Sequence, residues 1–149
     1  MENGMRILGL DFGSKTVGVA VTDPLGYTAQ GVEIIRRDSP NKLRKTLARI
    51  EQLVEQYNIE KIVLGYPVML SGTEGERVKK TKEFGAMLER RTGLEIVFQD
   101  ERLTTVEAYE IMDLMGIKKE DRYDYVDMIA AKVILEDYLN DNFRDLHTD

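Results

Sequence analysis

Residues 5–11 (MRILGLD) and 16–22 (TVGVAVT) are two short apolar runs parted only by FGSK. Four residues are too few to return the chain to a parallel partner, so the two runs pair as an antiparallel hairpin. In the second run Val17, Val19 and Val21 alternate with small residues, which is the period of a strand. GVEII at 31–35, after the turn-forming Asp23-Pro24-Leu25-Gly26, adds a third strand to the meander.

The period then changes. Ser39 followed by Pro40 predicts a helix start, with Ser39 as N-cap and Pro40 at the first helical position. Leu43, Leu47, Ile50, Val54 and Tyr57 continue at helical spacing. KIVLG (61–65) predicts a buried strand, and residues 76–91 a helix. LEIVF (94–98) predicts a fifth strand after a stop at Gly93. Thr104 and Glu107 have capping-box spacing, which starts a helix after DERL; a last helix covers about 125–139. Strands joined through helices run parallel. The expectation is therefore an α/β fold with a five-stranded mixed sheet, in which parallel strands extend the antiparallel meander of strands 1–3 and helices flank it. One domain covers 1–140, and 141–149 form a polar C-terminal tail.

Composition narrows the class. A chain of 149 residues with 42% hydrophobic residues builds one substantial core. No apolar run approaches the roughly 18 residues needed to cross a bilayer, and MENGMRILGLDFG lacks the basic start and cleavage site of a signal peptide. With no Cys, there are no disulfides and no thiolate metal sites, which suits a cytoplasmic protein. Net charge is −6, unevenly spread: residues 1–99 hold 15 bases and 13 acids, residues 100–149 hold 6 and 14. Two stretches are basic, one carrying Lys42, Lys45 and Arg49, the other Arg77, Lys79 and Lys80. Each is either a solvated helix face or a phosphate-contacting surface.

Three acidic positions stand where acids are costly. Asp11 ends the run Ile7-Leu8-Gly9-Leu10, Asp100 and Glu101 end Ile96-Val97-Phe98, and Asp127 lies in a helix beside Ala130, Ala131 and Ile134. Structural roles exist for each: Asp11 as a turn former, Asp100 or Glu101 as a partner of Arg102, Asp127 as a first-turn acid on the helix dipole. Jointly they suggest more. Strand ends opening on one side of a sheet can bring Asp11 and Glu101 together, with Asp127 reaching in from a packed helix. Three such carboxylates suit Mg²⁺ or Mn²⁺ and phosphodiester hydrolysis. His147, the only histidine, lies in the tail.

GLDFGSKTVGVAVTD (9–23), VLGYPVMLSGTEG (63–75), DERLTTVEA (100–108) and VDMIAAKVIL (126–135) together resemble the YqgF family, of the ribonuclease H-like superfamily and related to RuvC-type resolvases. The resemblance implies a ribonuclease H-like fold and a cytoplasmic, metal-dependent nuclease linked to processing the 5′ end of pre-16S ribosomal RNA. It also implies that Asp11, Glu101 and Asp127 hold metal, with Asp100 as an alternative or additional catalytic acid. Lys15, Arg77 and Arg102 would bind phosphate. A RuvC-like chain is expected to carry an acid at the end of its fourth strand; Gly65-Tyr66-Pro67 stand there, so the DER acids must substitute.

The implied partners are structured RNA, as pre-rRNA or within a ribosomal precursor particle, or branched DNA. No membrane is expected, and the chain would act as a monomer or homodimer. Three other functions compete. One is a Holliday-junction resolvase, which a stable dimer would favour. Another is a non-catalytic RNA-binding assembly factor. The third is a sugar-kinase-like or actin-like ATPase, which needs a second lobe that this length does not supply.

Overall fold

A computed structural model describes residues 6–67, 75–101 and 105–142. Strand β1 (Arg6–Phe12) turns through Gly13–Lys15 into β2 (Thr16–Thr22), and the Gly13 N–H closes the hairpin on the Thr16 carbonyl at 2.8 Å. β3 (Ala29–Arg36) follows a loop held by Asp23, whose Oδ1 accepts from the Tyr27 and Thr28 N–H groups at 2.7 and 2.8 Å. Burial pushes the Asp23 carboxyl up, but these donors and that of Leu25 outweigh it and hold the carboxyl below the usual range. Then come α1 (Arg44–Tyr57), β4 (Ile59–Pro67), α2 (Glu76–Thr92), β5 (Glu95–Glu101), α3 (Thr105–Leu114), a 3-10 turn (Lys119–Asp121) and α4 (Arg122–Asp141).

The sheet order is β3-β2-β1-β4-β5. β1–β2 and β2–β3 pair antiparallel, while β1–β4 and β4–β5 pair parallel, so this is the mixed sheet the pattern predicts. Alternation divides its faces. Leu8, Leu10, Phe12, Ile62 and Leu64 enter a core closed by Leu47, Ile50 and Leu53 of α1 and Phe84 and Leu88 of α2. Ile7, Ala20 and Val63 face the other way, onto Ala131, Ile134, Leu135 and Tyr138 of α4. The outer side of α4 packs Ile129 against Ala108 and Met112 of α3. α4 is thus apolar on two sides, as a helix between a sheet and another helix must be. No helix of the described residues is long and apolar enough to cross a membrane.

Two boundaries differ from expectation. Ser39-Pro40 opens a tight turn, with the Lys42 N–H on the Ser39 carbonyl at 3.1 Å, and the helix begins only at Arg44 with Leu43 at its cap. Proline suits the second position of such a turn as well as a helix start, so the dipeptide alone could not separate them. Arg37 Nε donates to the Pro40 carbonyl at 3.3 Å and holds the segment in its turn. β4 and β5 also run further than their apolar cores, with Tyr66 opposite Asp100 and Pro67 opposite Glu101. The ladder carries polar residues into register where hydrophobicity no longer marks the strand. The expected stop at Gly93 is present, with φ of 71° and its N–H on the Glu89 carbonyl at 2.9 Å. Thr104, Arg102 and His147 lie outside the described residues.

Candidate active site

Asp11 shares the α4-facing side of β1 with Ile7 and Gly9 and is only 3% exposed. It is no turn former: it sits inside the ladder, opposite Gly18 of β2. On β5 the same alternation puts Glu101 in phase with Val97, which packs toward the α4 cluster, and Asp100 in phase with Ile96, which packs toward the α1–α2 core. The two neighbouring acids of DER therefore address opposite faces. Asp127 lies in the second turn of α4, which begins at Arg122, so the first-turn dipole role does not apply.

Glycines let these groups meet. A Cβ on Gly18 would lie 1.9 Å from the Asp127 carbonyl oxygen, so only glycine there allows α4 to rest its main chain on β2, beside Asp11. A Cβ on Gly65 would lie 2.5 Å from Ile134 Cδ1 and 3.5 Å from Glu101 Oε2. The end of β4 thus carries no acid of its own; the Glu101 carboxylate, from the adjacent strand, occupies the space over Gly65. Thr16, across the hairpin, donates its hydroxyl to Asp127 Oδ2.

Electrostatics tie the three acids together. Burial above all pushes the Asp11 carboxyl well above its usual range; the charges of Glu101 and Asp127 and a hydrogen bond with Glu101 add to this, and among the described residues Arg77 opposes it. Asp11 Oδ1 is buried with no hydrogen-bond partner among the described residues. A buried, unpaired carboxylate oxygen within a group of like charges requires a proton or a cation. The donor set is oxygen only, which suits a hard divalent ion. The acids converge without forming a finished cage: no three such side chains among the described residues already stand as an ion-holding group.

The basic candidates divide. Arg77, exposed at the start of α2, is near enough to act on Asp11. Lys15 is exposed in the hairpin loop, Lys42 lies in the turn before α1, and Lys45 is exposed on α1. Arg49 is held bidentately by Glu33, at 2.7 and 2.9 Å, and its third donor meets Gln52 at 3.0 Å. The structure brings none of Lys42, Lys45 and Arg49 to the acids. Sequence reasoning missed Thr16, Gly18 and Gly65. For the glycines a signal existed, because a glycine inside an otherwise branched strand marks close approach of another chain segment.

This architecture is the fold of RuvC. The Thermus thermophilus RuvC structure aligns with a TM-score of 0.56, covering 92% of this chain and 96% of that one, at 13% identity. A T. thermophilus RuvC in complex with Holliday junction substrate aligns equally well, at 14% identity. The sheet, with an acid at its centre, is therefore ribonuclease H-like. The family model RuvX, described as Holliday junction resolvase, matches residues 5–141, and the chain belongs to this family. A protein of Agathobacter rectalis named "Putative pre-16S rRNA nuclease" is 64% identical over 136 residues, covering 91% of this chain and 95% of its own. Its namesake in Lachnospira eligens is 54% identical over 135 residues, covering 91% and 96%, and one in Streptococcus pyogenes is 48% identical over 140 residues, covering 93% and 100%. The resemblance to YqgF is borne out, and the chain is a hydrolase of phosphodiester bonds.

Proposed function

We propose that this protein is a Mg²⁺- or Mn²⁺-dependent nuclease that trims the 5′ end of pre-16S ribosomal RNA in the cytoplasm, acting on structured RNA or a ribosomal precursor particle. The observation that carries the reading is the meeting of Asp11, Glu101 and Asp127 from β1, β5 and α4, with one Asp11 oxygen buried and unpaired. The relatives named as pre-16S rRNA nucleases span nearly the full chain and support RNA as substrate.

In this reading Asp11, Glu101 and Asp127 hold the ion. A divalent cation, when bound, activates the attacking water and stabilises the leaving oxygen. The chain's own residues do the rest. Thr16 fixes the Asp127 carboxylate by donating to Oδ2, a bond that leaves Oδ1 available to an ion. Burial of Asp11 excludes competing water from its carboxylate. Arg77, beside Asp11, offers a guanidinium to a substrate phosphate, as do Lys15 and Arg102 by position in sequence. Asp100, on the other face of β5, has a supporting role and holds no ion.

The test presents the purified chain with a 5′-extended 16S precursor fragment and with a four-way DNA junction, each with Mg²⁺, Mn²⁺ or EDTA. Ion-dependent cleavage of the RNA alone is expected. Cutting of the junction alone would make the protein a resolvase, and absence of cutting with every ion would make it a binding factor.

A further inference from the structure

On the other side of the hairpin end from Asp11 lies a cavity of about 300 Å³, bordered by Ser14, Arg37, Glu76, Arg77 and Lys80. Its charge is lopsided, with three cations against the single carboxylate of Glu76. The wall is built by Arg37. Its Nη2 donates to the Gly13 and Ser14 carbonyls at 2.5 and 2.7 Å, and its guanidinium lies 4.8 Å from the centre of the Phe12 ring. Nη1 is buried and has no acceptor among the described residues. Two other arginines on the α1–α2 side are paired: Arg49 with Glu33 at 2.7 Å and Arg91 with Glu51 at 2.6 Å. Among the described residues no salt bridge engages Arg37, Arg77 or Lys80.

A half-buried guanidinium with one buried, unmatched N–H donor group and no counter-charge is costly, and a cavity that gathers two more cations without a salt bridge beside it is a place for an anion. Arg77 links the two sides of the hairpin end, since it borders the cavity while its charge acts on Asp11. We infer that this cavity is a phosphate subsite: it takes a backbone phosphodiester of the substrate strand flanking the one cut at Asp11. The inference rests on the nuclease reading above. Lys80 and Arg77, both exposed, contact the phosphate, and Arg37 supplies fixed positive charge behind them while bracing the loop that precedes Thr16.

The test is binding of a fluorescent single-stranded RNA to the full chain in EDTA, read by anisotropy across a salt series, so that cutting plays no part. Lys80→Gln should weaken binding about three- to tenfold at low salt and lower the slope of log affinity against log salt by ~0.7, the loss of one phosphate contact. Lys118→Gln, an exposed lysine beyond α3, controls for charge alone and should match wild type. Arg37→Gln should weaken binding at least as much as Lys80→Gln, with its melting curve checked because Arg37 also braces the loop. Lys80→Gln is read independently of that brace. If wild type binds and Lys80→Gln equals Lys118→Gln in affinity and slope, the subsite is overturned and the nuclease reading stands. If wild type binds no RNA, both fall.

Discussion

The main chain of Asp127 rests directly on Gly18, so closely that a methyl group at position 18 would lie 1.9 Å from the Asp127 carbonyl oxygen. Gly18 is also the ladder partner of Asp11. One glycine thus sets both the height of α4 over the sheet and the distance between two acids of the site. Gly18→Ala must lift α4 away from β2, because the obstacle is backbone and no side chain can swing aside. Overpacking of this kind costs typically ~1–3 kcal/mol, and here at least the upper end. A fall in melting temperature of several degrees, with cleavage lost even well below the melt, is the expected result. Wild-type stability in this variant would show that α4 does not pack as described.

Asp11→Asn should abolish ion-dependent cleavage while stabilising the chain in EDTA at neutral pH. The Asp11 carboxyl is raised in the folded state above its unfolded value of about 4. Its contribution to stability is therefore full below that unfolded value and is lost as pH rises through the raised folded one. Wild type should lose stability relative to Asp11→Asn as pH rises from the unfolded carboxyl value of about 4 toward neutrality, with the gap closing at the acidic end. Each ~1 kcal/mol of gap corresponds to about 2–4 °C for a chain of this size. Melting curves that stay parallel across this range would remove the buried charge from the account.

Glu101 and Asp100 give a paired prediction, because alternation along β5 sends them to opposite faces. Glu101→Gln should lower cleavage more than about 100-fold, beyond what a supporting residue costs, whereas Asp100→Asn should keep a readily measured fraction. Single-turnover rates on one RNA substrate decide it. The reverse ranking would move the reacting side of the sheet to the α1–α2 face.

Thr16 donates to Asp127 across a separation of 111 residues. Thr16→Val should raise the Mn²⁺ concentration needed for half-maximal cleavage about 10- to 100-fold, as loss of a ligand's supporting hydrogen bond does. Thr16→Ser, which keeps the hydroxyl, should restore it. An unchanged Mn²⁺ requirement in Thr16→Val would leave Asp127 positioned by α4 alone.

The sequence by itself determined the order of elements, the meander, the mixed sheet and the identity of the suspect acids. These are local matters: the alternation of Val17, Val19 and Val21, the three-residue loop after Phe12 and the stop at Gly93 all follow from periods and turns read over a few residues. The Ser39-Pro40 boundary was misread because a proline with φ near −65° serves a turn and a helix start equally, and the choice depends on Arg37 gripping the Pro40 carbonyl. Tertiary structure alone decided how the acids meet. That Glu101 fills the space over Gly65, that Thr16 holds Asp127 and that Arg37 is left with an unpaired donor depend on approach distances between segments far apart in the chain. Close packing sets such distances through every side chain between the segments, and no local period encodes them.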